Sequence, residues 1–246
     1  MTANGTMDPC RLDRRRFLQA TSTLGAFGLL GGSLVATLVH ADALTKEQRA
    51  KMTPEDIIAA MKRGNERFRK GERKSRNYLK EQQASAGGQY PAAVILSCID
   101  SRAPAEVILD LGIGDVFNAR VAGNIQNDDI LGSMEFACKV AGAKVELVMG
   151  HTACGAIKGA IDNVQLGNLT GLLAKIRPAV EATSFVGERT SKNASFVDAV
   201  AHKNVELTMA RIAEKSPVLK ELQSSHALLI TGAMYNIETA AVEFFG

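Results

Sequence analysis

One stretch narrows the folds open to this chain more than any other. Val94-Ile95-Leu96 is an unbroken apolar run lying between Pro91 and Pro104, and it leads into Ser97-Cys98-Ile99-Asp100-Ser101-Arg102. A short run without polar alternation is the pattern of a strand buried on both faces, and such strands belong to parallel sheets covered by helices. Open α/β sheets keep their reactive groups just beyond the carboxyl ends of these strands. A thiol, a carboxylate and a guanidinium stand there, at Cys98, Asp100 and Arg102.

The rest of the chain agrees with that reading. Residues 115–121, 144–149 and 227–231 have the character of further strands, and 239–244 of a fifth, antiparallel edge strand. Helical patterns lie between them. Thr53-Pro54-Glu55-Asp56 combines an N-cap, a first-turn proline and first-turn acids, ahead of a stripe of Ile57, Ile58, Met61 and Phe68. Further helices are expected from Pro104, from Asp128 or Asp129 through Val140, over 154–164, 168–183 and 195–215, and from Ser216-Pro217. Residues 75–88 read as a polar, partly helical connection. This alternation predicts one α/β domain over residues 44–246: a mostly parallel four-stranded sheet, with that possible fifth strand, flanked by helices and preceded by an N-terminal helical arm.

Composition removes some function classes. A net charge of +3 with dispersed Lys and Arg, no Trp and 5% aromatics gives neither a phosphate-binding stripe nor a base-stacking platform, so no nucleic-acid partner is expected. Four cysteines in 246 residues are too few for a disulfide scaffold.

Residues 1–43 read as an address. Arg14-Arg15-Arg16-Phe17-Leu18 precedes an uncharged stretch over 20–39 that is diluted by Gly25, Gly28, Gly31 and Gly32, and Ala41-Asp42-Ala43 supplies a small-residue cleavage site. That is the form of a twin-arginine export signal. The expectation is a protein handled by the twin-arginine machinery and delivered to the periplasm or medium of a bacterium, with cleavage after Ala41 or Ala43. A retained membrane anchor is the alternative. Cys10 leaves with the signal, so three thiols remain.

Two of those thiols complete a pattern. His151 and Cys154 stand in Gly150-His151-Thr152-Ala153-Cys154-Gly155, directly after the third strand. If the first and third strands are neighbours, Cys98, His151 and Cys154 converge. A Cys–His–Cys set is a three-ligand zinc site whose open fourth position means catalysis rather than scaffolding. Taken singly, a cysteine in an apolar strand is an ordinary small core residue; two such motifs at two strand ends are not. Asp100 and Arg102 are close enough to pair, the guanidinium fork holding the carboxylate away from the metal. Without it, Asp100 becomes a fourth ligand and closes the site. The plainer reading of the pair is a helix entry before Pro104. Cys138, His202 and His226 receive no role.

These motifs resemble the β-class carbonic anhydrases, through Cys98-Ile99-Asp100-Ser101-Arg102 and Gly150-His151-Thr152-Ala153-Cys154-Gly155. Gly64-Asn65-Glu66-Arg67-Phe68, Gly114-Asp115-Val116-Phe117, Ala122-Gly123-Asn124 and Ser216-Pro217-Val218-Leu219 extend the likeness from about Met52 to the C-terminus. The resemblance implies one Zn2+ per chain on Cys98, His151 and Cys154, with Asp100 and Arg102 as the catalytic pair and Asp100 a ligand only in a closed state. It implies substrate contacts from Gln89, Phe117, Ala122, Phe136 and Gly155. The implied reaction is reversible hydration of CO2 to bicarbonate and a proton by zinc-bound hydroxide, in a homodimer or higher homo-oligomer with the site near the subunit interface and the N-terminal helices reaching across. Some bacterial members bind inhibitory bicarbonate through a Trp, an Arg and a Tyr; Arg120 and Tyr235 resemble two of these, and Ile95 stands where the Trp would be. Two rivals share the same residues: a CS2 or COS hydrolase on this scaffold, and a non-catalytic exported zinc-binding protein closed by Asp100.

Overall fold

A computed structural model describes residues 43–246. The signal reading of residues 1–43 therefore lies, but for Ala43, outside the described residues. Among the described residues no helix is long and apolar enough to cross a membrane.

The chain runs α1 (Lys46–Lys51), α2 (Pro54–Lys70), α3 (Tyr78–Ser85), β1 (Ala93–Ser97), α4 (Ala105–Ile108), β2 (Val116–Arg120), α5 (Asp128–Glu135), β3 (Val145–His151), α6 (Gly155–Ile161), α7 (Gly167–Ala182), α8 (Ala194–Lys215), α9 (Pro217–Ser224), β4 (Leu229–Tyr235) and β5 (Val242–Phe245). The strands form one sheet in the order β2-β1-β3-β4-β5. β1 pairs in parallel with β2 and β3, β3 in parallel with β4, and β5 closes the edge antiparallel to β4. The expected sheet is thus present, antiparallel edge included.

β1 and β3 are central and buried along their whole length. Their side chains alternate between two cores. Ala93, Ile95, Val145, Leu147 and Met149 pack with Ile57 and Met61 of α2. Val94, Leu96 and Val148 pack with Leu131, Met134, Val205, Ile212 and Leu219 from α5, α8 and α9. A third cluster joins Cys98 and Cys154 to Ile157, Ile176, Val197 and Val200 of α6, α7 and α8.

Local differences from the sequence expectation have local causes. α1 precedes the expected first helix; a capping box of Thr45 and Gln48 starts it, and Lys144 Nζ donates at its C-terminal end to the carbonyls of Ala50 at 3.0 Å and Met52 at 2.7 Å. α4 is a single turn, because Asp110 at φ +51 turns the chain. Asn127, rather than Asp128 or Asp129, caps α5; the two acids fill its first turn instead. The helix continues to Val140 as a π-turn over Phe136–Val140.

The polar connection over 75–88 does more than connect. Glu81 of α3 is fully buried, pairs with Arg76 at 3.1 Å and accepts the Ile113 N–H at 2.9 Å. Beside it Asp110 meets Arg67 at 2.6 Å. Buried charges require such partners, and these fix the chain between β1 and β2.

Candidate metal centre

β1 and β3 are adjacent and in register, with Ser97 opposite Met149. Cys98 is the first residue past β1, His151 is the last residue of β3, and Cys154 is the N-cap of α6. His151, expected in the turn, is still in the strand. Their ligand atoms lie within 4.8 Å of one another, and all three residues are buried. The two sulfurs are 4.0 Å apart. Thiolates on a tetrahedral zinc stand about 3.8 Å apart, given bonds of about 2.3 Å.

The donor set itself fits a metal. His151 Nδ1 lies 2.9 Å from the Thr152 carbonyl, which takes the ring proton and leaves Nε2 with its lone pair. Nε2 is buried and has no hydrogen-bond partner. The facing Cys154 thiol lowers Cys98 to about 4, while the same contact pushes Cys154 up. One thiolate is held ready by its neighbours, and a divalent cation favours two.

The surrounding backbone fixes these positions. Thr152 donates its N–H to the Tyr235 carbonyl at 2.9 Å, and its Oγ1 accepts from Ile237 at 3.0 Å. Ala153 holds φ +56, and its N–H donates to Asp198 Oδ1 of α8 at 3.0 Å. Gly150 must be glycine, since a Cβ there would sit 2.7 Å from Val205 Cγ2 and 2.8 Å from Met234 Sδ.

Asp100 and Arg102 form the fork the sequence suggests. Arg102 Nε donates to Oδ1 at 3.0 Å and Nη2 to Oδ2 at 2.8 Å, with the Arg102 backbone N–H on Oδ1 at 2.9 Å. The Arg102 hydrogen bonds hold Asp100 well below the usual carboxylate range. Asp100 Oδ2 lies 3.9 Å from His151 Nε2, so the anchored carboxylate stands at the edge of the ligand group. Arg120 holds the loop from behind, donating to the carbonyls of Cys98 at 2.9 Å and Asp100 at 2.7 Å. Tyr235 is buried on the α2 face with Ile95.

The residues implied as substrate contacts divide into two groups. Gly155 follows Cys154 directly, and Ala122 opens the 3-10 turn Ala122–Asn124, whose Gly123 N–H reaches Cys98 Sγ at 3.3 Å. Gln89 is exposed ahead of β1, at the opposite end of the strand from Cys98. Five strand residues alone separate them by about 16 Å. Phe117 and Phe136 meet edge to face at 6.1 Å, in a hollow shared with Val94, Asn118 and Gly132 that includes none of the three ligands.

An open α/β sheet with a Cys–His–Cys group at adjacent strand ends and a guanidinium-locked carboxylate beside it defines a class of metal-dependent enzymes. The comparisons make that class specific. The carbonic anhydrase family profile matches residues 93–242. Carbonic anhydrase 2 of Mycobacterium tuberculosis is 35% identical over 183 residues, 73% of this chain and 86% of that protein. The carbonic anhydrase of Mycolicibacterium smegmatis is 31% identical over 186 residues, 75% and 89% of the two chains. Among solved structures, a tetrameric β-carbonic anhydrase from Sordaria macrospora superposes with a TM-score of 0.58 at 26% identity, covering 65% of this chain and 83% of that one. The chain belongs to the carbonic anhydrase family, in its β class, and is a carbonic anhydrase.

Proposed function

We propose that the enzyme interconverts CO2 and bicarbonate at one zinc ion per chain, held by Cys98, His151 and Cys154. The observation that carries this reading is the convergence of the three buried donors within 4.8 Å. Bound zinc supplies a Lewis acid that lowers the pKa of water toward neutrality, less so beside two anionic thiolates than beside neutral ligands.

The chain's own groups do the rest. Asp100 presents a carboxylate, kept ionised by Arg102, that accepts a hydrogen bond and orients the attacking oxygen. Arg102 occupies both carboxylate oxygens, which keeps Asp100 from becoming a ligand in its own right. Arg120 holds the backbone of both Cys98 and Asp100, so ligand and carboxylate keep one spacing. Ala122 opens the turn whose Gly123 N–H reaches Cys98 Sγ, and Gly155 follows Cys154 directly, so both stand beside the ligand group as small residues.

Gln89, Phe117 and Phe136 serve the site of a second copy of the chain. Gln89 stands ahead of β1, Phe117 is level with Val94 rather than Cys98, the hollow it shares with Phe136 includes none of the three ligands, and the Sordaria macrospora relatives are described as tetrameric. We further propose export by the twin-arginine route, supported by Arg14-Arg15-Arg16-Phe17-Leu18 and Ala41-Asp42-Ala43.

Zinc content and stopped-flow CO2 hydration of residues 44–246, measured beside Cys154→Ser, test the assignment. The parent is expected to carry one zinc and be active, and the variant to lose both. An active Cys154→Ser without zinc overturns it.

A further inference from the structure

The back of the metal centre is held by α8. Asn204 of this helix is 1% exposed, and its Nδ2 donates to the Gly123 carbonyl at 2.8 Å. The N–H of the same Gly123 donates to Cys98 Sγ at 3.3 Å. Gly123 holds φ +69, and a Cβ on it would stand 2.5 Å from Ile176 Cδ1 and 3.3 Å from Ala156 Cβ. Gly123 therefore sits in a slot where a side chain would be strained and would have to displace Ile176. Asn204 fastens its carbonyl from across 81 positions of sequence.

A hydrogen bond to a thiolate draws electron density from sulfur, and groups behind a ligand tune a metal in this way. The held carbonyl of Gly123 belongs to the peptide unit after the one that carries its N–H, joined to it through a single Cα, so the Asn204 bond limits how far the N–H can turn from sulfur. We propose that Asn204 is a positioning residue for the metal centre: it keeps the Gly123 N–H on Cys98 and thereby sets the charge that this thiolate delivers to the metal. The inference rests on the zinc reading above.

The test uses the full chain, loaded with cobalt(II) in place of zinc. Asn204→Leu removes the donor and keeps the packing. The thiolate-to-cobalt charge-transfer band is expected to move to lower energy as the sulfur becomes more electron-rich. Zinc affinity, read by chelator competition, is expected to fall by roughly 10- to 100-fold. Asn65→Leu is the control for mere stability. Asn65 is 4% exposed and bonds Ile108, Ala240 and Val242 on the opposite face of the sheet, so its loss is expected to lower thermal stability and leave the band in place. Should Asn204→Leu fail to accumulate, Asn204→Ser, whose hydroxyl stops short of Gly123, reads the same two quantities.

An unmoved band in the Asn204 variant overturns the proposal, whether or not affinity falls. A band moved equally by Asn65→Leu overturns it too. A parent that takes up no metal overturns the zinc reading and this inference with it, whereas a parent that binds metal with an unmoved variant band overturns this inference alone.

Discussion

Arg102 grips both oxygens of Asp100, Nε on Oδ1 at 3.0 Å and Nη2 on Oδ2 at 2.8 Å, while Asp100 Oδ2 stays 3.9 Å from His151 Nε2. The carboxylate stands beside the ligand group, tethered to an arginine that is itself half exposed.

Removing the tether tests its purpose. Arg102→Ala is expected to lower kcat/KM for CO2 hydration by roughly 10- to 100-fold, because Asp100 is then free to occupy the metal's open position. Arg102→Lys keeps the charge without the fork and is expected to recover only part of the loss. Stopped-flow rates on zinc-loaded proteins check both. Activity unchanged in Arg102→Ala would show that the tether is not what keeps Asp100 off the metal.

Glu146 poses a separate question, since it is the second residue of β3, with 0% exposure and neither carboxylate oxygen bonded. It stands in register with Val94 and Ile230, and burial pushes its pKa up to about 8. The fold tolerates the neutral acid, whereas the unfolded chain gives up the proton from about pH 4.5. Stability is therefore full below that value and is lost as pH rises to about 8. Glu146→Gln removes the titration. The melting temperature of the variant is expected to gain on the parent between pH 5 and pH 8, and a constant gap would refute the assignment.

Gln89, Phe117 and Phe136 lie away from the metal ligands of their own chain, which predicts complementation between copies. Cys154→Ser lacks a ligand; Phe136→Ala lacks a pocket wall. Co-expressed, they are expected to restore about a quarter of parental activity, since half of randomly paired dimers then hold one intact site of two. A mixture no better than the separate variants would place the pocket within one chain.

Export is checked by fractionation. Lysine in place of both Arg14 and Arg15 is expected to keep the protein in the cytoplasm, while the parent is recovered outside it with an N-terminus at Leu44 or Asp42. Parent protein found only in the cytoplasm contradicts the signal reading.

What could be read from the sequence had its physical cause close by along the chain. β1 declared itself because a strand buried on both faces is apolar without interruption, β3 through Leu147-Val148-Met149 in spite of Glu146, and both ligand motifs sit directly at their ends. The Asp100–Arg102 fork spans two residues. What escaped notice depends on distant partners. Asn204 looks like any polar residue of a helix until Gly123 arrives 81 positions away, and Asp198 gains meaning only from Ala153. Glu81 sits in a polar stretch with nothing to mark it as buried, since Ile113, whose N–H it accepts, lies 32 positions further along the chain. The separation of Phe136 from the ligands is likewise a fact of three dimensions, hidden from a reading by resemblance.

The central claim is that three side chains from two strand ends hold the zinc that performs the hydration. Titrating zinc into metal-free protein while following CO2 hydration by stopped flow tests it most directly. The rate is expected to rise in proportion to bound zinc, to saturate at one ion per chain, and to increase from pH 7 to pH 9. Full activity without zinc, or a fully loaded protein that does not hydrate CO2, would contradict the account.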